Sequence, residues 1–227
     1  MDGAVAIVLA AGLGERLGRD RPKAFIELAG RPILAHAVAA ALGGPGITAV
    51  VVAVPAGLED LARAIVEPFG SYPVVSGGAT RRASVRAALE AVPMDVGVVV
   101  CHDAARPFAT PALFGRVLEA LHGVDGVVPV VDVRDTVKRV EDGMVVVTEP
   151  REGLMLAQTP QAFLAPALRD AHERAERDDI EVTDDAAALE RAGFRVRAIT
   201  GEPGNFKITT AEDLARAEAI ALEHARG

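Results

Sequence analysis

Five continuous runs of apolar residues, rich in β-branched side chains, occur at 5–10, 49–54, 74–75, 96–101 and 127–131, with helix-patterned stretches between them at 32–42, 58–67, 81–91 and 111–121. Unbroken apolar runs, as opposed to alternating ones, are what strands need when both faces of their sheet are covered. The β-α-β rhythm therefore predicts an α/β fold built on a doubly wound, mostly parallel sheet. Ligands of such sheets bind beyond the carboxyl ends of the strands. The loops after Ala10, Val75 and Cys101 are the places to look for a site.

The rhythm breaks once. Residues 132–138 and 144–148 are extended, and Glu141, Asp142 and Gly143 between them read as a hairpin turn. This predicts a β-arm, spanning 132–151, inserted into the α/β unit. A two-stranded ribbon is marginal in water, so the arm is expected to pack on a second subunit and make a homodimer. Helices are expected at 166–177, 183–192 and 211–226, and a strand at 195–199. With 227 residues, half of them apolar, the chain is expected to fold as one domain over 1–227 with a substantial core.

Composition excludes several classes. The apolar runs are too short to span a bilayer. Met1-Asp2-Gly3 lacks the basic start of a secretory signal, and a single cysteine, Cys101, cannot build a disulfide framework. A cytoplasmic protein is expected. A net charge of −8 without a basic stripe argues against nucleic acid as a partner. Lysine is nearly absent: Lys23, Lys138 and Lys207 stand against twenty-one arginines, and Asn205, Gln158 and Gln161 are the only amide side chains. Heat adaptation or a GC-rich genome would each produce this bias. In such a background a retained lysine points to work that arginine cannot do, such as offering a compact charge to a phosphate. Lys138, on the arm, has the weakest claim.

The first strand runs into Ala10-Ala11-Gly12-Leu13-Gly14-Glu15-Arg16-Leu17-Gly18, with Pro22-Lys23 shortly after. Small residues let a ligand approach the backbone, and consecutive amides can cradle an anion. The glycine spacing is not that of a dinucleotide fingerprint, and no Gly-Lys-Ser/Thr follows, so this is no P-loop. One reading is a cradle in which Arg16 and Lys23 converge on a triphosphate. The other is a plain strand-to-helix turn with solvated charges.

Further segments follow in order: Gly77-Gly78-Ala79-Thr80-Arg81-Arg82-Ala83-Ser84-Val85, His102-Asp103-Ala104-Ala105-Arg106-Pro107, Arg134-Asp135-Thr136-Val137-Lys138, Thr159-Pro160-Gln161, Thr183-Asp184-Asp185 and Lys207-Ile208-Thr209. The first loop resembles the signature of the nucleotidyltransferase superfamily. The ordered set resembles, over nearly the whole chain, the 2-C-methyl-D-erythritol 4-phosphate cytidylyltransferase family of the non-mevalonate isoprenoid pathway. The resemblance implies a Rossmann-like nucleotidyltransferase fold and transfer of CMP from CTP to 2-C-methyl-D-erythritol 4-phosphate. The products would be 4-diphosphocytidyl-2-C-methyl-D-erythritol and pyrophosphate, with Mg²⁺ or another divalent cation as cofactor.

By the same resemblance, Arg16, Lys23, Arg151 and Lys207 are catalytic. Ala10, Ala11, Gly12, Gly14, Gly78, Ser84, Asp103 and Ala104 bind the nucleotide. Asp103, Arg106, Thr136, Arg151, Thr159, Thr183 and Lys207 bind the polyol phosphate, the arm residues reaching into the neighbouring subunit's site. Asp103 is the candidate to lie beside the metal, which the CTP phosphates would mainly hold. Ala79 departs from the family pattern, because some relatives carry an acidic or hydroxyl side chain near the cytosine; here any base contact would fall to the backbone.

Each candidate has a plainer reading. Asp103 could cap a helix, although a carboxylate among phosphates makes sense if it binds a cation or hydroxyl groups. Gly77-Gly78 could be an ordinary turn, Arg151 a surface salt-bridge partner, and Thr183 a helix N-cap. His102 reads as structural. No nucleophile elbow is present, and the reaction needs none, since a phosphate monoester with a second pKa of about 6 is already mostly dianionic at neutral pH. What must be overcome is repulsion between anions, so catalysis would consist of positioning and charge stabilisation. Two alternatives stand beside this reading. One is a cytidylyltransferase for another polyol phosphate, such as ribitol 5-phosphate. The other is a non-catalytic nucleotide-sensing subunit, against which the retained Arg16, Lys23 and Lys207 argue.

Overall fold

The structure, a computed structural model, describes residues 3–12 and 22–224. Gly14, Arg16 and Gly18, singled out above, lie outside the described residues. The strands and helices in chain order are β1 (Ala4–Leu9), β2 (Glu27–Leu28), β3 (Arg31–Pro32), α1 (Ile33–Leu42), β4 (Ile47–Val54), α2 (Glu59–Val66), β5 (Val74–Ser76) and α3 (Arg81–Glu90). They continue as β6 (Val98–Asp103), α4 (Pro111–Glu119), β7 (Gly126–Asp132), β8 (Val137–Glu141), β9 (Met144–Glu149), β10 (Met155–Ala157), β11 (Gln161–Leu164), α5 (Ala165–Arg177), α6 (Asp185–Arg191), β12 (Val196–Thr200) and α7 (Ala211–His224).

β5, β4, β1 and β6 lie side by side and parallel. β11 then runs antiparallel between β6 and β7, β10 pairs antiparallel with the far end of β7, and β12 lies parallel to β7. The sheet is thus mixed and mostly parallel. The unbroken apolar runs have the expected cause. Along β1, Ala4, Ala6 and Val8 enter one core, whereas Val5 and Ile7 enter the other. β4 divides Val50, Val52 and Val54 from Val51 and Ala53, and β6 divides Val98 and Val100 from Val99 and Cys101. With side chains alternating between two buried faces, the middle of each of these strands is apolar without a break. A third apolar cluster joins Leu28 and Ile33 to Ile208, Leu214 and Ala217, so that α7 closes over β2 and α1.

The structure moves several expected boundaries. β6 extends through Asp103 and so carries His102 and Asp103 on the sheet, not in the following loop. β10 and β11, absent from the sequence reading, are three and four residues long, too short to stand out; both are held by pairing with strands distant in sequence. Asp132 ends β7, and the arm hairpin itself comprises β8 and β9. Its turn is made by Asp142 and Gly143, with φ of 48° and 78°. Two consecutive left-handed residues are what a tight two-residue hairpin requires. Among the described residues, no helix is long and apolar enough to cross a membrane.

Candidate active site

β1, β5 and β6 end at one edge of the sheet, and the loops beyond them enclose a cavity of about 240 Å³. Ala10, Ala11 and Gly12 line it from β1, Gly78 and Ser84 from the loop and helix after β5, Asp103 and Ala104 from β6, and Lys23 and Lys207 from the side. Two of the chain's three lysines therefore meet at one cavity. Lys23 Nζ donates to the carbonyl of Ile208 across 2.7 Å. The Ile208 amide in turn donates to the carbonyl of Ala105. Ile208 is fully buried in the third apolar cluster, so a hydrophobic anchor sets the neighbouring Lys207 against the end of β6.

The first two loops touch. A Cβ on Gly77 would stand 2.4 Å from the Cβ of Ala11, so only glycine allows this approach. The buried Ser84 accepts from the Gly78 amide at 3.1 Å and donates to the Thr80 carbonyl at 2.9 Å. Thr80 caps α3 by accepting from the Ala83 amide. Ser84 thus shapes the Gly77-Gly78 turn from below while lining the cavity.

Asp103 is the electrostatic centre. Its Oδ1 is paired with Arg81 Nη1, and its Oδ2 accepts from Lys207 Nζ at 2.7 Å. Burial alone would raise the carboxyl's pKa, but Arg81 and Lys207 outweigh it and hold the group well below the usual carboxylate range. Arg81 also donates through Nη2 to Asp185 at 2.7 Å, and Asp185 accepts from His172 Nε2 at 3.1 Å. Burial again opposes ionisation of Asp185, and Arg81 and His172 again prevail, leaving its pKa lowered to about 2.

Beneath Asp103 lies a neutral histidine. The Asp103 amide donates to Thr159 Oγ1 at 2.9 Å, and Thr159 Oγ1 lies 3.0 Å from His102 Nδ1. The hydroxyl therefore links the backbone of Asp103 to the imidazole ring. Burial lowers the His102 pKa to about 4, and Phe114 packs edge-on against the ring at 5.1 Å.

The structure gathers nine of the proposed residues: Ala10, Ala11, Gly12, Lys23, Gly78, Ser84, Asp103, Ala104 and Lys207. Others lie elsewhere. Thr159 is buried under the cavity floor and orients the backbone of Asp103. Arg106 donates to the carbonyls of Asn205 and Ala157 and so fastens the segment leading to Lys207. Thr136 and Arg151 are exposed on the arm and its exit, where Arg151 donates to the Arg134 carbonyl. Thr183 is exposed, and the N-cap of α6 is Asp184 instead, its carboxylate accepting from the Ala187 amide at 2.9 Å. Lys138 donates to Thr148 within the arm. The residue given no role from sequence is Arg81. Its position at the first turn of a helix that follows a glycine turn was a signal, but which of twenty-one arginines meets two buried acids is decided by folding.

A mostly parallel sheet whose strand ends carry a small-residue loop, two lysines and one shielded carboxylate around one cavity defines a nucleotidyltransferase-type protein. The family model for IspD, 2-C-methyl-D-erythritol 4-phosphate cytidylyltransferase, matches residues 4–223. A protein of that name from Rhodococcus jostii is 47% identical over 223 residues, covering 97% of this chain and 96% of the relative. Its counterpart from Microcystis aeruginosa is 42% identical over 219 residues, with 94% and 96% covered. The crystal structure of 2-C-methyl-D-erythritol 4-phosphate cytidylyltransferase from Thermus thermophilus superposes with a TM-score of 0.82 at 39% identity, covering 98% of this chain and 100% of that one. The chain belongs to the 2-C-methyl-D-erythritol 4-phosphate cytidylyltransferase family and is a nucleotidyltransferase.

Proposed function

We propose that this cavity transfers CMP from CTP to 2-C-methyl-D-erythritol 4-phosphate and releases pyrophosphate. The observation that carries the reading is the meeting of Lys23, Lys207 and Asp103 around the small-residue loop at the carboxyl ends of β1 and β6. An acceptor phosphate oxygen attacks the α-phosphorus, a new P–O bond forms, and the bond to the departing pyrophosphate breaks. No proton has to be removed from a phosphate dianion, so the chain's residues supply position and charge. Lys23, together with Arg16, steadies the charge on the α-phosphate and leaving group. Lys207, together with Arg151, holds the attacking phosphate. Asp103 receives hydroxyl groups of the acceptor. Gly78, Ser84 and the backbone near Ala79 form the base side of the cavity.

Among the described residues no three metal-ligating side chains converge, and Asp103 is the one carboxylate lining the cavity. One carboxylate suits Mg²⁺, which keeps most of its shell for water and substrate phosphates. Bound so, the cation would supply neutralisation of the triphosphate charge. The working unit in this reading is a homodimer in the cytoplasm. Val140, Met144, Val145, Val146 and Val147 of the arm, and Leu154, Met155 and Leu156 after it, are all exposed. An apolar run of that kind is covered when a second copy of the chain packs on it, and the dimer would bring Arg151 and Thr136 to the partner's cavity.

The test crosses the four nucleoside triphosphates with a panel of polyol phosphates and follows pyrophosphate release. CTP with 2-C-methyl-D-erythritol 4-phosphate is expected to give the highest kcat/KM. A preference for UTP or for ribitol 5-phosphate at matched concentrations would overturn the acceptor or nucleotide assignment.

A further inference from the structure

Arg81 stands between two carboxylates that belong to different parts of the chain. Its Nη1 pairs with Asp103 Oδ1, and its Nη2 donates to Asp185 Oδ2 at 2.7 Å. The other oxygen of Asp185 accepts from His172 Nε2 at 3.1 Å. Asp185 and His172 are each 1% exposed, and neither lines the cavity. A row of charge and hydrogen bonds therefore runs from His172 on α5 through Asp185, Arg81 and Asp103 to Lys207. Its placement is costly. Arg81 is the first residue of α3, where the helix dipole disfavours a cation. Buried ion pairs are also poor stabilisers compared with apolar packing of the same volume.

The geometry at Asp103 indicates what the row does. A guanidinium facing a single carboxylate favours a two-pronged pairing that occupies both oxygens. Here Arg81 gives only Nη1 to Asp103, because Asp185 takes Nη2. Oδ2 of Asp103 is left to Lys207, and both residues line the cavity. We propose that Asp185, held by His172, is a positioning residue for the transfer reaction: by engaging Arg81 from behind it keeps Arg81 from closing on both oxygens of Asp103. Oδ2 then stays available to exchange Lys207 for substrate groups. This rests on the reading of Asp103 as a carboxylate that meets substrate.

A double-mutant cycle with Asp185→Asn and Asp103→Asn, read as kcat for pyrophosphate release from CTP, tests it. Asp185→Asn is expected to lower kcat about 10- to 100-fold, the usual cost of removing a group that orients a site residue, with KM for CTP unchanged. In the Asp103→Asn background the same change should cost less than about twofold, since nothing is left to position. Additive losses would show a role in folding alone and overturn the proposal, as would an unchanged kcat in Asp185→Asn. Full activity in Asp103→Asn would overturn both the proposal and the reading of Asp103, whereas additivity leaves that reading standing. Should Asp185→Asn not fold, His172→Phe removes the support of Asp185 and must show the same non-additive pattern.

Discussion

Lys207 donates from Nζ to Oδ2 of Asp103 across 2.7 Å, joining the segment before α7 to the end of β6 over 104 residues of sequence. In the proposed reading, this pair sets the cation that holds the acceptor phosphate beside the carboxylate that receives its hydroxyl groups. On that reading, binding the acceptor requires Lys207 to exchange one anion for another. The loss of Lys207 leaves Asp103 ionised, because Arg81 stays in place.

Lys207→Ala is accordingly expected to lower kcat/KM for the acceptor by about 10²-fold, the scale on which a single group stabilising transferred charge acts. KM for CTP should change little. Pyrophosphate release with the acceptor varied at saturating CTP checks this, and an unchanged kcat/KM would remove Lys207 from the acceptor phosphate.

The contact of Gly77 with Ala11 predicts a separable effect. Gly77→Ala forces a Cβ to within 2.4 Å of the Ala11 Cβ, and such overpacking costs about 1–3 kcal/mol. The displaced loop should also raise KM for CTP. Gly97→Ala, whose added Cβ meets nothing within 4 Å, serves as the control, with a stability change within about 0.5 kcal/mol. Urea unfolding and CTP titration measure both. Equal stability of the two variants would mean that the loops separate at no cost.

His102 makes stability depend on pH in a defined window. Its pKa falls from 6.5 to about 4 on folding, through burial above all. Above pH 6.5 neither the folded nor the unfolded chain carries this proton. As the pH falls from 6.5 towards 4, the unfolded chain takes it up and the folded one does not. Stability should drop by roughly 3 kcal/mol across that window from this group alone. His102→Gln should flatten the decline between pH 6.5 and 4 in urea unfolding. A decline as steep as in the parent would assign it to other groups.

The arm predicts complementation between inactive chains. In a mixed dimer of a Lys23→Ala chain with an Arg151→Ala chain, both lesions fall in one site, and the other site is intact, only if Arg151 serves the partner's cavity. After equal mixing and random re-pairing, half the dimers would be mixed and one site in each intact, so activity should recover to about a quarter of the parental value. Exchange is verified with a tagged chain. Verified exchange without recovery would place Arg151 in its own chain's site.

What could be read in advance differed by element. β1, β4 and β6 were legible because burial on two faces demands an unbroken apolar run, a signal that needs no partner to be named. The arm was legible through its turn. β10 and β11 were not, since three or four residues held by pairing with β7 and β6 leave no period of their own. Lys23 and Lys207 stood out through the rarity of lysine, and Asp103 through its place after an apolar run.

Sequence by itself determined the sheet's parallel core, the edge at which the cavity forms, and the chemistry available there: small residues, lysines and one acid. Tertiary structure alone decided how those charges are shared. Arg81 became the bridge between Asp103 and Asp185 because α3 and α6 start close to the same strand end. Thr159 lies below the floor because β11 pairs with β6 and brings Thr159, two residues before it, to the Asp103 amide. A local pattern records what a residue can offer. Which partner accepts it depends on contacts across 22 to 104 residues, and no local periodicity carries that distance.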